Sequence, residues 1–166
     1  MNKLDYLCAE VQTIDPDVIA VSESWANDSI SDTELNLIGY TLFRKDRELD
    51  IKGGGVLLYV KDSLNASEVK LMSDFPEHVW CKVKCKGNNE LLTGVCYRTP
   101  SENVYGYDLH ASVRELVSEI SNKNFVLFGI STTEGLIGLW VDVKAVYQLK
   151  LWPFLSALTI VLSRST

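Results

Sequence analysis

The sequence has 166 residues, 46% hydrophobic and 23% charged, which suits one ordinary globular domain and excludes a disordered tail. Its net charge of -6 argues against a protein that coats nucleic acid through a basic stripe. It leaves room for an enzyme that handles DNA through a metal ion, because the ion brings its own positive charge.

Read in chain order, Asn2 to Gln12 is predicted to be an amphipathic helix, capped by Asn2, with Leu4, Leu7, Cys8 and Val11 at helical spacing. Asp15-Pro16-Asp17 is a turn. Val18 to Ser22 is a short apolar run rich in branched residues, hence a buried strand. Ser24 to Ile38 is polar and loop-like, and Tyr40 to Arg44 reads as a strand. Lys52-Gly53-Gly54-Gly55 punctuates the chain before a strong strand, Val56 to Val60. Val79 to Lys84 and Leu91 to Tyr97 form a predicted hairpin about Gly87-Asn88-Asn89. Tyr105 to Ser121 has helical spacing, and Phe125 to Phe128 is a buried strand closed by Gly129. Mixed strands with helices outside them predict a layered α/β domain.

The four cysteines are Cys8, Cys81, Cys85 and Cys96, and their spacing fits neither a zinc site nor a secreted disulfide framework. Cys81 and Cys85 alternate about Val83 and are expected on the buried face of one strand, as reduced core residues of an intracellular protein. Met1 to Glu10 carries Lys3 and Asp5 and no apolar core, unlike a secretory leader. The most apolar stretch, Leu149 to Leu162, is broken by Lys150 and Pro153 and is too short to span a membrane.

Six islands occur in a telling order: NKLDYL (Asn2 to Leu7), DPDVIAVSESW (Asp15 to Trp25), GYTLFRKDR (Gly39 to Arg47), KGGGVLLYV (Lys52 to Val60), GVCYRTP (Gly94 to Pro100) and NFVLFG (Asn124 to Gly129). Together they resemble the non-LTR retrotransposon branch of the endonuclease/exonuclease/phosphatase superfamily, across residues 2 to 129. The resemblance implies a four-layer α/β/β/α sandwich, here truncated at both ends. It also implies phosphodiester hydrolysis with Mg2+ or Mn2+, DNA as the partner, no membrane, and work in the nucleus.

By position alone, Glu23 is a surface glutamate at a strand edge beside Trp25. A carboxylate there can also hold a hard cation such as magnesium, and the resemblance makes Glu23 the metal ligand. Tyr97 reads either as a half-buried strand aromatic or as a hydroxyl that contacts the scissile phosphate; the resemblance makes it the active-site tyrosine. Arg98 is either a phosphate contact or an exposed ion-pairing arginine. Arg44, Lys45 and Arg47 read as a solvated basic edge. Gly53 to Gly55 is not a P-loop, since neither a Lys-Ser/Thr pair nor a helix follows, and reads as a flexible lead into the strand. His78 and His110 have no metal-ligand spacing and read as ordinary polar residues.

Three parts of the family pattern are not matched. No strand ending in asparagine precedes the first helix. Ile130-Ser131-Thr132 follows Gly129 where the resemblance calls for Asp-x-Asn. No Ser-Asp-His motif occurs, and residues 130 to 166 contain no histidine. These departures point to a chain that no longer cuts DNA. The alternatives are a partner-binding module or, last, a small-molecule phosphoesterase of the same superfamily.

Residues 1 to 129 therefore read as a partial catalytic domain and 130 to 166 as a divergent tail with no evident alternation or packed role. One base deleted after codon 129 can account for that tail. With suitable codons, Asp-Phe-Asn-Tyr-Arg-Gly-Ile-Asp-Trp becomes Ile-Ser-Thr-Thr-Glu-Gly-Leu-Ile-Gly, the sequence of Ile130 to Gly138. The loss of flanking strands is expected to expose the edges of their neighbours.

Overall fold

The computed structural model describes residues 3–47, 53–71, 76–84, 90–98, 118, 124–131, 147–152 and 159–164. A helix, α1 (Lys3–Ile14), opens the chain. The strands that follow are β1 (Val18–Ser22), β2 (Tyr40–Lys45), β3 (Val56–Lys61), β4 (Ser67–Glu68), β5 (His78–Lys84), β6 (Glu90–Arg98), β7 (Asn124–Ser131), β8 (Tyr147–Trp152) and β9 (Thr159–Arg164).

The apolar spacing of α1 sets Leu4, Leu7, Cys8, Val11 and Ile14 over Ile19, Val21, Leu57 and Tyr59. The helix stops where Asp15 turns to a φ of 49° and gives its N–H to the Val11 carbonyl at 2.8 Å. Pro16 has no N–H with which to continue it. The helix thus runs past Gln12 to Ile14, and its expected cap, Asn2, lies outside the described residues.

Two sheets pack face to face. The first has the order β2-β3-β1-β9-β8 and the second β4-β5-β6-β7. β1 lies inside its sheet, antiparallel to β3 on one side and to β9 on the other, which is why all five of its residues are buried. The strand period of two then sorts the side chains. Val18, Ala20, Val56, Leu58 and Val60 join the core between the sheets, with Val79, Cys81, Val83, Val95, Tyr97, Val126 and Phe128 from the other side. Ile19, Val21, Leu57 and Tyr59 face α1. The opposite face of the second sheet gathers Trp80, Leu92, Cys96, Phe125 and Leu127. Each fully buried Leu, Val or Phe in such layers contributes roughly 1.5–3 kcal/mol.

The hairpin expectation holds, since β5 and β6 pair antiparallel over His78↔Cys96 to Lys84↔Glu90. Cys81 and Val83 share the buried face, while Cys85, the turn at 87–89 and His110 lie outside the described residues. Of the helix predicted over 105–121, only Ser118 is described, and it is helical.

Two expectations need correction. The strand predicted to close at Gly129 continues through it to Ser131, because β6 offers a parallel ladder as far as Arg98. The tail, in which no packed role was legible, supplies β8 and β9 to the first sheet. The edge of β1 that the sequence led us to expect bare is therefore covered by β9 from Val18↔Leu162 to Val21↔Thr159. Backbone pairing is indifferent to side-chain type, so strands with little alternation can still satisfy that edge.

Candidate functional site

The site is built where β1 ends. Glu23 and Trp25 both adopt left-handed backbone, at φ 55° and 57°, so the strand cannot continue. The segment turns against the glycine run instead. Ser24 N–H donates to the Gly55 carbonyl at 3.2 Å and Trp25 N–H to the Gly54 carbonyl at 2.9 Å.

The glycines are held rather than flexible. Gly53, Gly54 and Gly55 have φ of 87°, 81° and 77°, a conformation in which a Cβ is strained. Space is missing as well. A Cβ on Gly54 would lie 2.3 Å from Arg47 Nε and 2.7 Å from Glu77 Oε2, and one on Gly55 would lie 2.6 Å from Ser24 Oγ. The bare backbone brings two amides to two carboxylates. Gly54 N–H donates to Glu23 Oε2 at 3.0 Å, and Gly55 N–H donates to Glu77 Oε2 at 2.9 Å. This corrects the reading of the run as a flexible lead into β3.

Glu23 is further fixed by the Trp25 indole, whose Nε1–H donates to Oε2 at 2.7 Å. Both bonds fall on the same oxygen. Trp25 itself is 56% exposed, so the carboxylate sits at a surface with a rigid aromatic beside it.

Behind it lies a buried ion pair that the sequence did not disclose. Arg47 Nε donates to Glu77 Oε1 at 2.6 Å, and an Arg47 terminal nitrogen lies 2.5 Å from the same oxygen. Both residues are almost fully buried. Arg44 is also engaged, with Asp46 and Asp32 and with the Asn27 and Ile30 carbonyls. Its hydrogen bond to Asp46, above all, raises its pKa. Of the basic cluster at 44–47, Lys45 is exposed as a solvated edge would have it, whereas Arg44 clasps the loop at 27–32 and Arg47 pairs with buried Glu77. Only a tertiary structure reveals this, since Glu77 stands in the sequence as an ordinary polar residue before a strand.

Tyr97 lies near the end of β6 with 3% exposure, among the side chains between the sheets. Its N–H donates to the Glu77 carbonyl at 3.0 Å. Glu23 and Tyr97 are thus brought into one network: Glu23 carboxylate, Gly54–Gly55 peptide, Glu77, Tyr97 backbone. For Arg98 the backbone alone is described, in register with Ser131. In the same parallel ladder Tyr97 pairs with Ile130. The first residue after Gly129 therefore stands at the end of β7 beside the candidate tyrosine.

Among the described residues no three His, Cys, Asp or Glu side chains cluster as a metal cage. A cage is not required for magnesium, which keeps several waters and takes one or two carboxylates together with substrate phosphates. Glu23 fits that role as a single oriented carboxylate, with Oε1 taking neither of its two intramolecular bonds. Glu77 does not fit, because its charge is matched by Arg47. No helix among the described residues is long and apolar enough to cross a membrane.

Two packed sheets with helix α1 outside the first define a layered α/β sandwich. The chain belongs to the endonuclease/exonuclease/phosphatase family, whose sequence profile matches residues 1–136. Hydrolases of this family are generally metal-dependent. Among solved structures it is similar to the AP endonuclease LMAP from Leishmania major, with a TM-score of 0.61 and 15% identity, covering 77% of this chain and 49% of that one. It is also similar to the human Nocturnin catalytic domain with bound sulfate, with a TM-score of 0.53 and 15% identity, covering 79% of this chain and 56% of that one. At such identity the likeness is one of fold, and the chain spans about half the length of these relatives. No curated protein sequence matches it significantly.

Proposed function

We propose that this chain descends from a magnesium-dependent, DNA-nicking endonuclease of the retrotransposon branch and is itself a remnant that does not cut. The six sequence islands support the descent. The observation that carries the loss is the pairing of Ile130 with Tyr97. The resemblance calls for an aspartate at that position. A hydrocarbon there neither binds a cation nor accepts a proton.

What remains is the half of the site on the first sheet and β6. Glu23 would hold Mg2+ or Mn2+ through Oε1, and the ion would polarise a phosphoryl oxygen. Trp25 and Gly54 hold the carboxylate, and Tyr97, near the end of β6, would contact the scissile phosphate through its hydroxyl. Arg98 follows it as a phosphate contact. DNA is the expected partner, in the nucleus.

The test is nicking of supercoiled plasmid in magnesium. This chain is expected to give no nicking above that of Glu23→Ala. A family-length chain with one base restored after codon 129 is expected to nick, and to lose that activity on Glu23→Ala. Nicking by the present chain that disappears in Glu23→Ala overturns the loss of function. Coding DNA with no recoverable Asp-Phe-Asn in the neighbouring frame overturns the single-base account of the tail.

A further inference from the structure

We propose that Glu77 is a positioning residue, whose carboxylate holds Gly55 N–H and through it the Gly54 backbone that Glu23 meets, and whose carbonyl sets the end of β6 at Tyr97. The proposal rests on the reading of Glu23 as a cation ligand, and goes beyond it by naming what holds that ligand in place.

The geometry is specific. Oε2 of Glu77 accepts Gly55 N–H at 2.9 Å, one residue along from the Gly54 N–H that meets Glu23 at 3.0 Å. The two amides belong to successive peptide units joined at the Gly54 Cα, so with Gly55 N–H held only the Gly54 φ and ψ separate it from Gly54 N–H. Glu77 holds one of these amides while Glu23 receives the other. Arg47 on Oε1 pairs with the Glu77 carboxylate and fixes its orientation in a buried site. The Glu77 carbonyl then takes Tyr97 N–H at 3.0 Å. A purely structural ion pair needs neither amide.

Removing one charge alone risks unfolding, so the test uses neutral pairs in the whole chain. In Arg47→Met/Glu77→Gln the amide oxygen still accepts Gly55 N–H. In Arg47→Met/Glu77→Leu the acceptor is gone and both charges of the pair are removed together. Arg47→Met/Glu77→Ala replaces the leucine variant if that one does not fold.

The first readout is Tb3+ titration, using the luminescence sensitised by Trp25 and counting only the part lost in Glu23→Gln. The Gln variant is expected to bind Tb3+ like the wild type, and the Leu variant about 10- to 100-fold more weakly, as for loss of a residue that orients a metal ligand. The second readout needs no metal. The Trp25 indole N–H proton resonance reports its bond to Glu23, and the Tyr97 amide reports its bond to Glu77. Both are expected to move in the Leu variant and to stay in the Gln variant. Equal spectra for the two variants overturn the positioning role. A wild type with no Glu23-dependent Tb3+ signal overturns the cation reading instead, and the metal-free resonances then decide the positioning role by themselves.

Discussion

Glu77 meets Tyr97 through its backbone, accepting the tyrosine N–H at 3.0 Å, while its side chain reaches the opposite way to Gly55 N–H at 2.9 Å. The residue thus spans from one sheet to the loop before β3, with its charge matched by Arg47 within a buried pair. Glu77→Ala should cost about 3–5 kcal/mol of stability, because it takes the paired carboxylate away from a buried guanidinium. Arg47→Met/Glu77→Leu should recover most of that loss. Urea unfolding of the two variants checks this, and equal losses in both would count against the ion pair as the cause.

The glycine run predicts a graded response. Gly54→Ala combines left-handed strain with a Cβ 2.3 Å from Arg47 Nε, and should cost roughly 2–5 kcal/mol. Gly53→Ala is tight only against the Glu23 carboxylate oxygen at 3.2 Å, with the Trp25 ring in ordinary contact at 3.8 Å, and should cost roughly 1–2 kcal/mol from strain. Urea midpoints that rank the two in reverse order would refute the packing argument.

A second close approach lies in the hairpin. A Cβ on Gly94 would come within 2.2 Å of the Trp80 ring, which crosses over its strand neighbour in the Trp80↔Gly94 pair. Gly94→Ala should therefore destabilise by roughly 1–3 kcal/mol through overpacking. Gly94→Ala/Trp80→Leu should lose less than the two single changes added together. Additive losses would mean that the ring is not what excludes the methyl group.

Alkali should unfold the chain early. Burial raises the Cys81 and Cys96 thiols from 9.0 to about 12, and burial with Asp15 and Asp17 raises Tyr40 to about 12. In the unfolded chain these groups lose protons first, so above pH 9 the native state binds more protons and stability falls as pH rises. This stabilising contribution is complete below the unfolded pKa values and is lost as pH climbs through the folded ones. Urea midpoints should decline from pH 9 upwards. In the native chain near pH 8.5, iodoacetamide should label the partly exposed Cys8 before either Cys81 or Cys96, as peptide mapping can show. Prompt labelling of Cys81 would contradict its burial.

Much of this fold was legible because its signals are local. The branched run Val18 to Ser22 and the alternation from Val79 to Lys84 each carry their own period, and both became strands in the places expected. Glu23 and Tyr97 could be picked out only through flanking islands, yet the structure links them through Glu77. Arg47 and Glu77 were not legible. Their pairing spans thirty residues of sequence, and nothing local marks a charged residue as buried. β8 and β9 escaped for a related reason. A strand recruited to complete a ladder needs backbone groups more than a pattern, and the partner that recruits β9 is β1, near the other end of the chain.

That distant partnership bears on how the protein is made. Val18 leaves the ribosome roughly 140 residues ahead of its ladder partner Leu162, which at common synthesis rates is about ten to thirty seconds. Once β3 has followed, β1 can pair with it, but the flank where β9 will lie stays bare until the end of that interval, open to any extended strand in reach. The outcome in the cell is then a race between translation and association. Slowing synthesis late in the message should lower the soluble yield even though the finished polypeptide is unchanged.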